Sequence, residues 1–146
     1  METRAEKFTE SCLGCRLACG QEAAEIVYEN ERITALLDIA PLNGGHVLLL
    51  PKRHALDLDE LAPEDLRALT EAAARIARAL KLLYAPDGIT TMSNGGIFND
   101  LGHVHLHVFP RYQEDGFGWR EPSAPRGTDI ANTVIRDRLA ELLAPL

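Results

Sequence analysis

Histidine stands at every second position in the stretch His103-Val104-His105-Leu106-His107-Val108-Phe109. At a strand rise of about 3.3 Å per residue, that spacing turns all three imidazoles to one face, about 7 Å apart, and turns Val104, Leu106 and Val108 to a core. The pattern admits three readings. Neutral imidazole ligates divalent metal ions, and His-x-His presents two nitrogens to one Zn²⁺. Imidazole is also a nucleophile at neutral pH. The central His105 could attack phosphorus while a neighbour steadies the charged oxygens, and water could later hydrolyse the intermediate. The third reading is a row of exposed polar positions on a half-buried strand, which strict alternation over three turns of the pattern disfavours.

A second group with metal-binding chemistry lies near the N-terminus. Cys12-Leu13-Gly14-Cys15 is a knuckle-type Cys-x-x-Cys, which supplies two thiolates to tetrahedral zinc sites. Cys19 is left over, although Cys15 and Cys19 could form the pair instead. All three cysteines fall between positions 12 and 19, too close together to staple distant parts of a fold. A redox dithiol is disfavoured because no βαβ pattern surrounds the pair.

These residues sit in a chain of 146 residues, 46% hydrophobic and 25% charged, enough for one compact domain with a core. No stretch is apolar enough to span a membrane, and the polar start Met-Glu-Thr-Arg lacks a secretory signal, so a soluble cytoplasmic protein is expected. Fifteen Lys and Arg against 22 Asp and Glu leave a net charge of -7, which disfavours a nucleic-acid partner. A small anionic ligand in a local pocket remains compatible with that charge.

The elements that must carry these groups follow from periodicity and punctuation. Glu25–Tyr28 and Ile33–Leu37 flank a polar turn and read as a hairpin. Asn43-Gly44-Gly45 turns the chain into a third strand, His46–Leu50, stopped by Pro51. Pro63 with Glu64 and Asp65 starts a helix whose core stripe is Leu66, Leu69, Ala73, Ile76, Leu80 and Leu83, ended by Pro86 and Gly88. Ile89–Met92 and the histidine segment give two more strands on either side of the loop from Ser93 to Gly102. A last helix fits Asp129–Leu143, with Thr128 as N-cap and Ala131, Ile135, Leu139 and Leu142 on its buried side. The class is α+β with a largely antiparallel sheet.

The histidine segment resembles the His-φ-His-φ-His-φ-φ signature (φ apolar) of the histidine-triad (HIT) superfamily of nucleotide hydrolases and transferases. Leu37-Asp38-Ile39-Ala40-Pro41 and Gly45-His46-Val47-Leu48-Leu49-Leu50-Pro51-Lys52-Arg53-His54 are similar to the superfamily's upstream block. His107-Val108-Phe109-Pro110-Arg111-Tyr112 is similar to the fragile-histidine-triad branch. The resemblance covers roughly residues 12 to 112 and implies a HIT-like fold: a five-stranded antiparallel sheet with two helices, pairing into a homodimer. On this reading residues 1–146 are a single domain, with a core over 12–112 and a helical C-terminal extension over 113–146.

The same resemblance implies a division of labour. His105 is the expected nucleophile toward the α-phosphorus, His107 contacts the α-phosphate, and His46 supports both from its own strand. Asp38 is expected at the ribose hydroxyls and Ile39 against a purine base, while Asn94, Asn99 and the amides near Gly95, Gly96 and Gly102 offer donors to phosphate oxygens. Cys12, Cys15, His54 and His103 are the expected ligands of a structural zinc, and the covalent histidine chemistry itself needs no cofactor. Asp100 departs from the pattern, standing where Ser or Thr commonly meets the phosphate or leaving group; a carboxylate there repels a polyphosphate unless it turns away or lies beside a cation. The expected activity is cleavage of an α-phosphate linkage, in a dinucleoside polyphosphate or a nucleoside phosphoramidate, through a covalent nucleotidyl-histidine. Alternatives are a nucleotidylyl transferase, a non-catalytic nucleotide-binding sensor or scaffold, and a metallohydrolase that uses the triad as zinc ligands. Lys52 and Arg53 either steer anions or are solvated, and Phe117 and Trp119 either close over a base or pack the C-terminal segment.

Overall fold

A computed structural model describes residues 8–144. The elements are α1 (Leu13–Ala18), β1 (Ile26–Glu29), β2 (Ile33–Leu37), β3 (Val47–Pro51), α2 (Pro63–Tyr84), β4 (Gly88–Met92), β5 (Leu106–Arg111) and α3 (Asn132–Leu143), with single 3₁₀ turns at Leu58–Glu60 and Gly96–Phe98. The five strands form one sheet in the order β1-β2-β3-β5-β4, and every neighbouring pair is antiparallel. Among the described residues, no helix is long and apolar enough to cross a membrane.

Strand alternation gives this sheet two different faces. Ile33 and Ala35 of β2, Val47 and Leu49 of β3, and Leu106 and Val108 of β5 belong to the main core, which Leu69, Ala72, Ala73, Ile76 and Leu80 of α2 complete. The residues between them point the other way. Leu36 and Leu50 join Ala18 of α1 in a second, smaller cluster, with Leu17, Leu48 and Leu101 packed against it. His107 and Phe109 fall on this second face by the same alternation.

Local chemistry explains the connections. Asn30 closes the β1–β2 turn, its side-chain oxygen accepting from the amides of Arg32 (2.8 Å) and Ile33 (2.9 Å). Gly45, at φ +86°, lets the chain enter β3 beneath the Tyr84 ring, where a Cβ would lie 2.5 Å from that ring. Pro63 opens α2 and Glu64 and Asp65 face its positive end.

Several expected boundaries and burials are corrected. The histidine segment is not one strand: β5 begins at Leu106, so only His107 of the three lies within it, and His103 and His105 occupy the approach to it. Val104 still reaches the core because its amide donates to the Ala55 carbonyl at 2.8 Å, outside the sheet ladder. Pro51 ends β3 from inside, paired opposite Ile33, and His46 lies just before that strand. Leu66 and Leu83 of α2 are exposed, and Ala72 and Asp65 are buried instead; Asp65 is held by Arg32 at 2.7 Å. The short α1 around the cysteines adds to the two expected helices.

Contacts divide the described residues into two compact units, the first ending at Asp115 and the second beginning at Gly116. Within the second, α3 starts at Asn132 rather than Asp129. Ala131 occupies the N-cap with no side-chain hydrogen bond, so Thr128 has no capping role. None of its residues is buried, which corrects the expected buried side at Ala131, Ile135, Leu139 and Leu142. An apolar stripe shows which face of a helix could be covered, not that something covers it.

Candidate active site and metal centre

Two centres form on the second face of the sheet, and the approach to β5 feeds both. The first gathers Cys12, Cys15, His54 and His103, whose ligand atoms all lie within 4.8 Å of one another. His103 Nδ1 is 3.6 Å from Cys15 Sγ and 3.7 Å from Cys12 Sγ, and His54 Nδ1 is 3.3 Å from Cys15 Sγ. Cys12 is the N-cap of α1, its sulfur accepting from the Cys15 amide at 3.4 Å, so one helical turn brings both thiols to one point. Gly14 between them touches the imidazole: a Cβ there would lie 2.3 Å from His103 Cβ. Cys19 is exposed and outside the cluster, which removes the alternative Cys15 and Cys19 pair.

The donor set fits a tetrahedral Zn²⁺. His103 Nε2 donates to the Pro51 carbonyl at 2.8 Å, which fixes the tautomer and leaves Nδ1 with its lone pair toward the thiols. Burial pushes the Cys15 thiol up to about 11, with Cys12 adding to the rise, and pushes His103 down to about 4. Thiols against imidazoles satisfy each other weakly; a divalent cation would use all four donors.

The second centre is a chain of imidazoles whose tautomers are all determined by its ends. The Leu42 amide donates to His46 Nδ1 at 3.1 Å, so His46 carries its proton on Nε2. That proton is directed at His107 Nδ1, 2.9 Å away, and His107 Nε2 therefore donates to His105 Nε2 at 3.1 Å. His105 Nδ1 donates to the His103 carbonyl at 2.8 Å. One set of neutral tautomers satisfies all four bonds, and it leaves His105 Nε2 as the unprotonated nitrogen. Burial lowers His46 and His107, the latter to about 4, with the neighbouring imidazoles His105 and His46 lowering His107 further. Ser93, not foreseen from sequence, steadies this segment by donating its hydroxyl to the His105 carbonyl at 2.8 Å.

His105 and His107 open onto a cavity of about 450 Å³, the size of small-ligand sites. Leu36, Leu48 and Leu101 give it an apolar floor, and Leu13 and Leu17 of α1 a wall. Asp38 and Ile39 lie on its rim: Asp38 Oδ1 accepts from the Ala40 amide at 2.8 Å, while Oδ2 is 3.7 Å from His46 Nε2, and Ile39 is fully exposed. Asp100 also lines it, with Oδ1 3.7 Å from His105 Nε2.

Asn94 and Asn99 are not among the residues lining this cavity. Asn94 lines a separate cavity with Asp57, Ser93, Gly95 and Gly96, where the Gly96 amide donates to Asp57 at 2.8 Å. Asn99 uses its amide to pin the loop, donating to the Leu56 carbonyl at 3.0 Å and accepting from the Leu101 amide at 3.0 Å. Lys52 is paired with Glu29 at 2.6 Å and Arg53 stands 3.8 Å from Asp65, both away from the cavity.

Comparison with known proteins agrees with this architecture. Residues 20–114 match the HIT domain family. The chain belongs to the HIT family. It is 36% identical over 139 residues to the Bacillus subtilis protein hit, covering 90% of this chain and 96% of that one. A HIT family protein from Bacillus anthracis has the same fold at TM-score 0.81 and 30% identity, over 94% of this chain and 98% of that one. A Zn-bound histidine triad family protein from Mycobacterium smegmatis superposes at TM-score 0.68 and 33% identity, over 93% and 98% of the two chains. As a HIT protein, the chain carries the triad on the approach to β5 and at the second residue of that strand, with its first histidine turned to the thiols.

Proposed function

We propose that this HIT protein is a nucleotide hydrolase that cleaves an α-phosphate linkage through a nucleotidyl intermediate on His105. The observation that carries this is the fixed tautomer of His105. Its Nδ1 proton is held by the His103 carbonyl, and its Nε2 lone pair ends the imidazole chain at the cavity. In the first step that lone pair forms a bond to the α-phosphorus as the bond to the leaving group breaks, the pair departing with the leaving group. In the second, water adds to phosphorus and the P–N bond breaks, its pair returning to Nε2. The proton lost by the water passes to solvent, and the nucleoside monophosphate is released. His107, donating from Nε2 beside the reacting nitrogen, is suited to hold a phosphate oxygen once substrate displaces its bond to His105.

Asp38 suits the ribose hydroxyls, because one oxygen is tied to the Ala40 amide and the other remains an acceptor at the rim. Ile39 and the leucine floor suit an apolar purine face. The Cys12, Cys15, His54 and His103 cluster suits a structural zinc, a reading supported by the Zn-bound Mycobacterium smegmatis relative. Zinc there supplies no chemistry to the reaction; it ties α1 to the catalytic segment. In this reading the protein works as a homodimer.

The test is capture of the intermediate. Protein mixed with adenosine substrate labelled at the α-phosphate and quenched in base should retain label on His105, mapped by peptide mass spectrometry. Turnover without label on any histidine would sink the covalent reading.

A further inference from the structure

We infer that Asp100 selects the leaving group, favouring one that gains positive charge as its bond to phosphorus breaks over one that gains negative charge. The inference rests on His105 being the nucleophile. It names the preferred substrate class as nucleoside phosphoramidates, whose leaving group is an amine, ahead of dinucleoside polyphosphates.

The charge pattern around the cavity carries this. Its lining includes three carboxylates, Glu22, Asp38 and Asp100, and no lysine or arginine among the described residues. Two of the three are already engaged. Glu22 accepts from Arg16 Nε at 2.8 Å, and Asp38 is bound to the Ala40 amide beside His46. Asp100 differs: its side chain is 88% exposed, and its Oδ1 lies 3.7 Å from His105 Nε2, the reacting nitrogen itself. A phosphorus bonded to that nitrogen would bring every group it carries within a few ångströms of the carboxylate, where charges couple strongly once ligand excludes water.

The two candidate reactions differ in the sign of charge they create there. In a phosphoramidate, the P–N bond breaks with its pair going to nitrogen, and that nitrogen departs as an amine only if it has first taken an extra proton from solvent. Positive charge therefore sits at the leaving nitrogen as His105 Nε2 bonds to phosphorus. In a polyphosphate, the P–O pair goes to a phosphate oxygen, and negative charge accumulates on a group that is already anionic. A carboxylate at that position lowers the first barrier and raises the second, and among the described residues the cavity has no lysine or arginine to offset it. The first described element fits the same logic, since α1 presents Leu13 and Leu17 rather than a cation to the cavity.

The experiment compares kcat/KM for an alkylamine adenosine 5′-phosphoramidate and for diadenosine tetraphosphate in the wild type, Asp100→Asn and Asp100→Ala. The wild type should prefer the phosphoramidate. Both substitutions should lower its kcat/KM and raise that of the dinucleotide, moving the ratio by about 10-fold. The ratio is internal to each preparation, so partial misfolding cancels. A ratio unchanged within about threefold in both variants, or a wild type that prefers the dinucleotide, overturns the inference. His105→Ala separates the two readings. If it abolishes both turnovers while the Asp100 ratio stays fixed, nucleotidyl transfer stands and leaving-group selection by Asp100 falls. Turnover of either substrate that survives His105→Ala removes both readings together.

Discussion

His103 and His105 stand two residues apart, both nearly inaccessible to solvent, yet they hold opposite tautomers. His103 gives its Nε2 proton to the Pro51 carbonyl and keeps Nδ1 for the thiols. His105 gives its Nδ1 proton to the carbonyl of His103 and keeps Nε2 for the cavity. The side chains are identical, and each donates one ring N–H to a backbone oxygen. What separates them is which ring nitrogen a carbonyl reaches, and therefore which nitrogen retains a lone pair. The contrast teaches that a repeat of one residue type can build two chemistries when the backbone beside it is irregular.

The sharpest way to break this comparison is to delete each imidazole in turn. His105→Ala should lower kcat by about 10⁴-fold or more while leaving metal content intact. His103→Ala should do the reverse, reducing bound zinc to background and Tm by several degrees, with kcat reduced far less. Metal analysis, thermal melts and steady-state kinetics on the same preparations check both; equal losses of activity would mean that the two centres are one.

A smaller perturbation probes the wall between them. Gly14→Ala forces a methyl group against the His103 ring and should destabilise the fold by about 1–3 kcal/mol in chemical denaturation. Zinc affinity should fall and His105 should keep its reactivity. Unchanged stability would show that α1 yields without cost.

The gentlest test uses pH. His103 and His107 are held near 4 and His46 is lowered, all by burial first, whereas in the unfolded chain histidines titrate near about 6.5. Between those values the unfolded state binds more protons, so stability rises with pH across that window and is lost as pH falls from about 6.5 toward 4. Melting temperatures measured over that range should fall steadily toward acid. A flat profile would contradict neutral, buried imidazoles in either centre.

Much of this was legible in the chain. The five strands, the α2 amphipathic stripe and the Cys-x-x-Cys with His54 and His103 follow from alternation, from Pro and Gly punctuation and from the histidine-triad resemblance. The loop before the triad was not legible. Asn94 and Asn99 have the right chemistry for phosphate, yet a polar side chain in a loop is equally able to bond backbone, and Asn99 does so at Leu101 in its own loop and at Leu56 outside it. The start of β5 was missed because alternation survives in any extended chain, whether or not a neighbour pairs with it; at Val104 the partner is Ala55, which belongs to no strand. Ser93 gave no signal at all, since one hydroxyl reaching one carbonyl leaves no periodic trace.

β3 has a further consequence. His46 immediately precedes it and Pro51 is its last residue, so the imidazole chain begins at one end of this strand and the carbonyl that orients His103 lies at the other. The strand is a ruler five residues long. Sequence drift can exchange Val47, Leu48 or Leu49 for other apolar residues, but an insertion or deletion would move one centre relative to the other and turn every intervening side chain to the wrong face. The spacing from His46 to Pro51 is therefore the quantity that descent must preserve, more strictly than the identity of any residue between them.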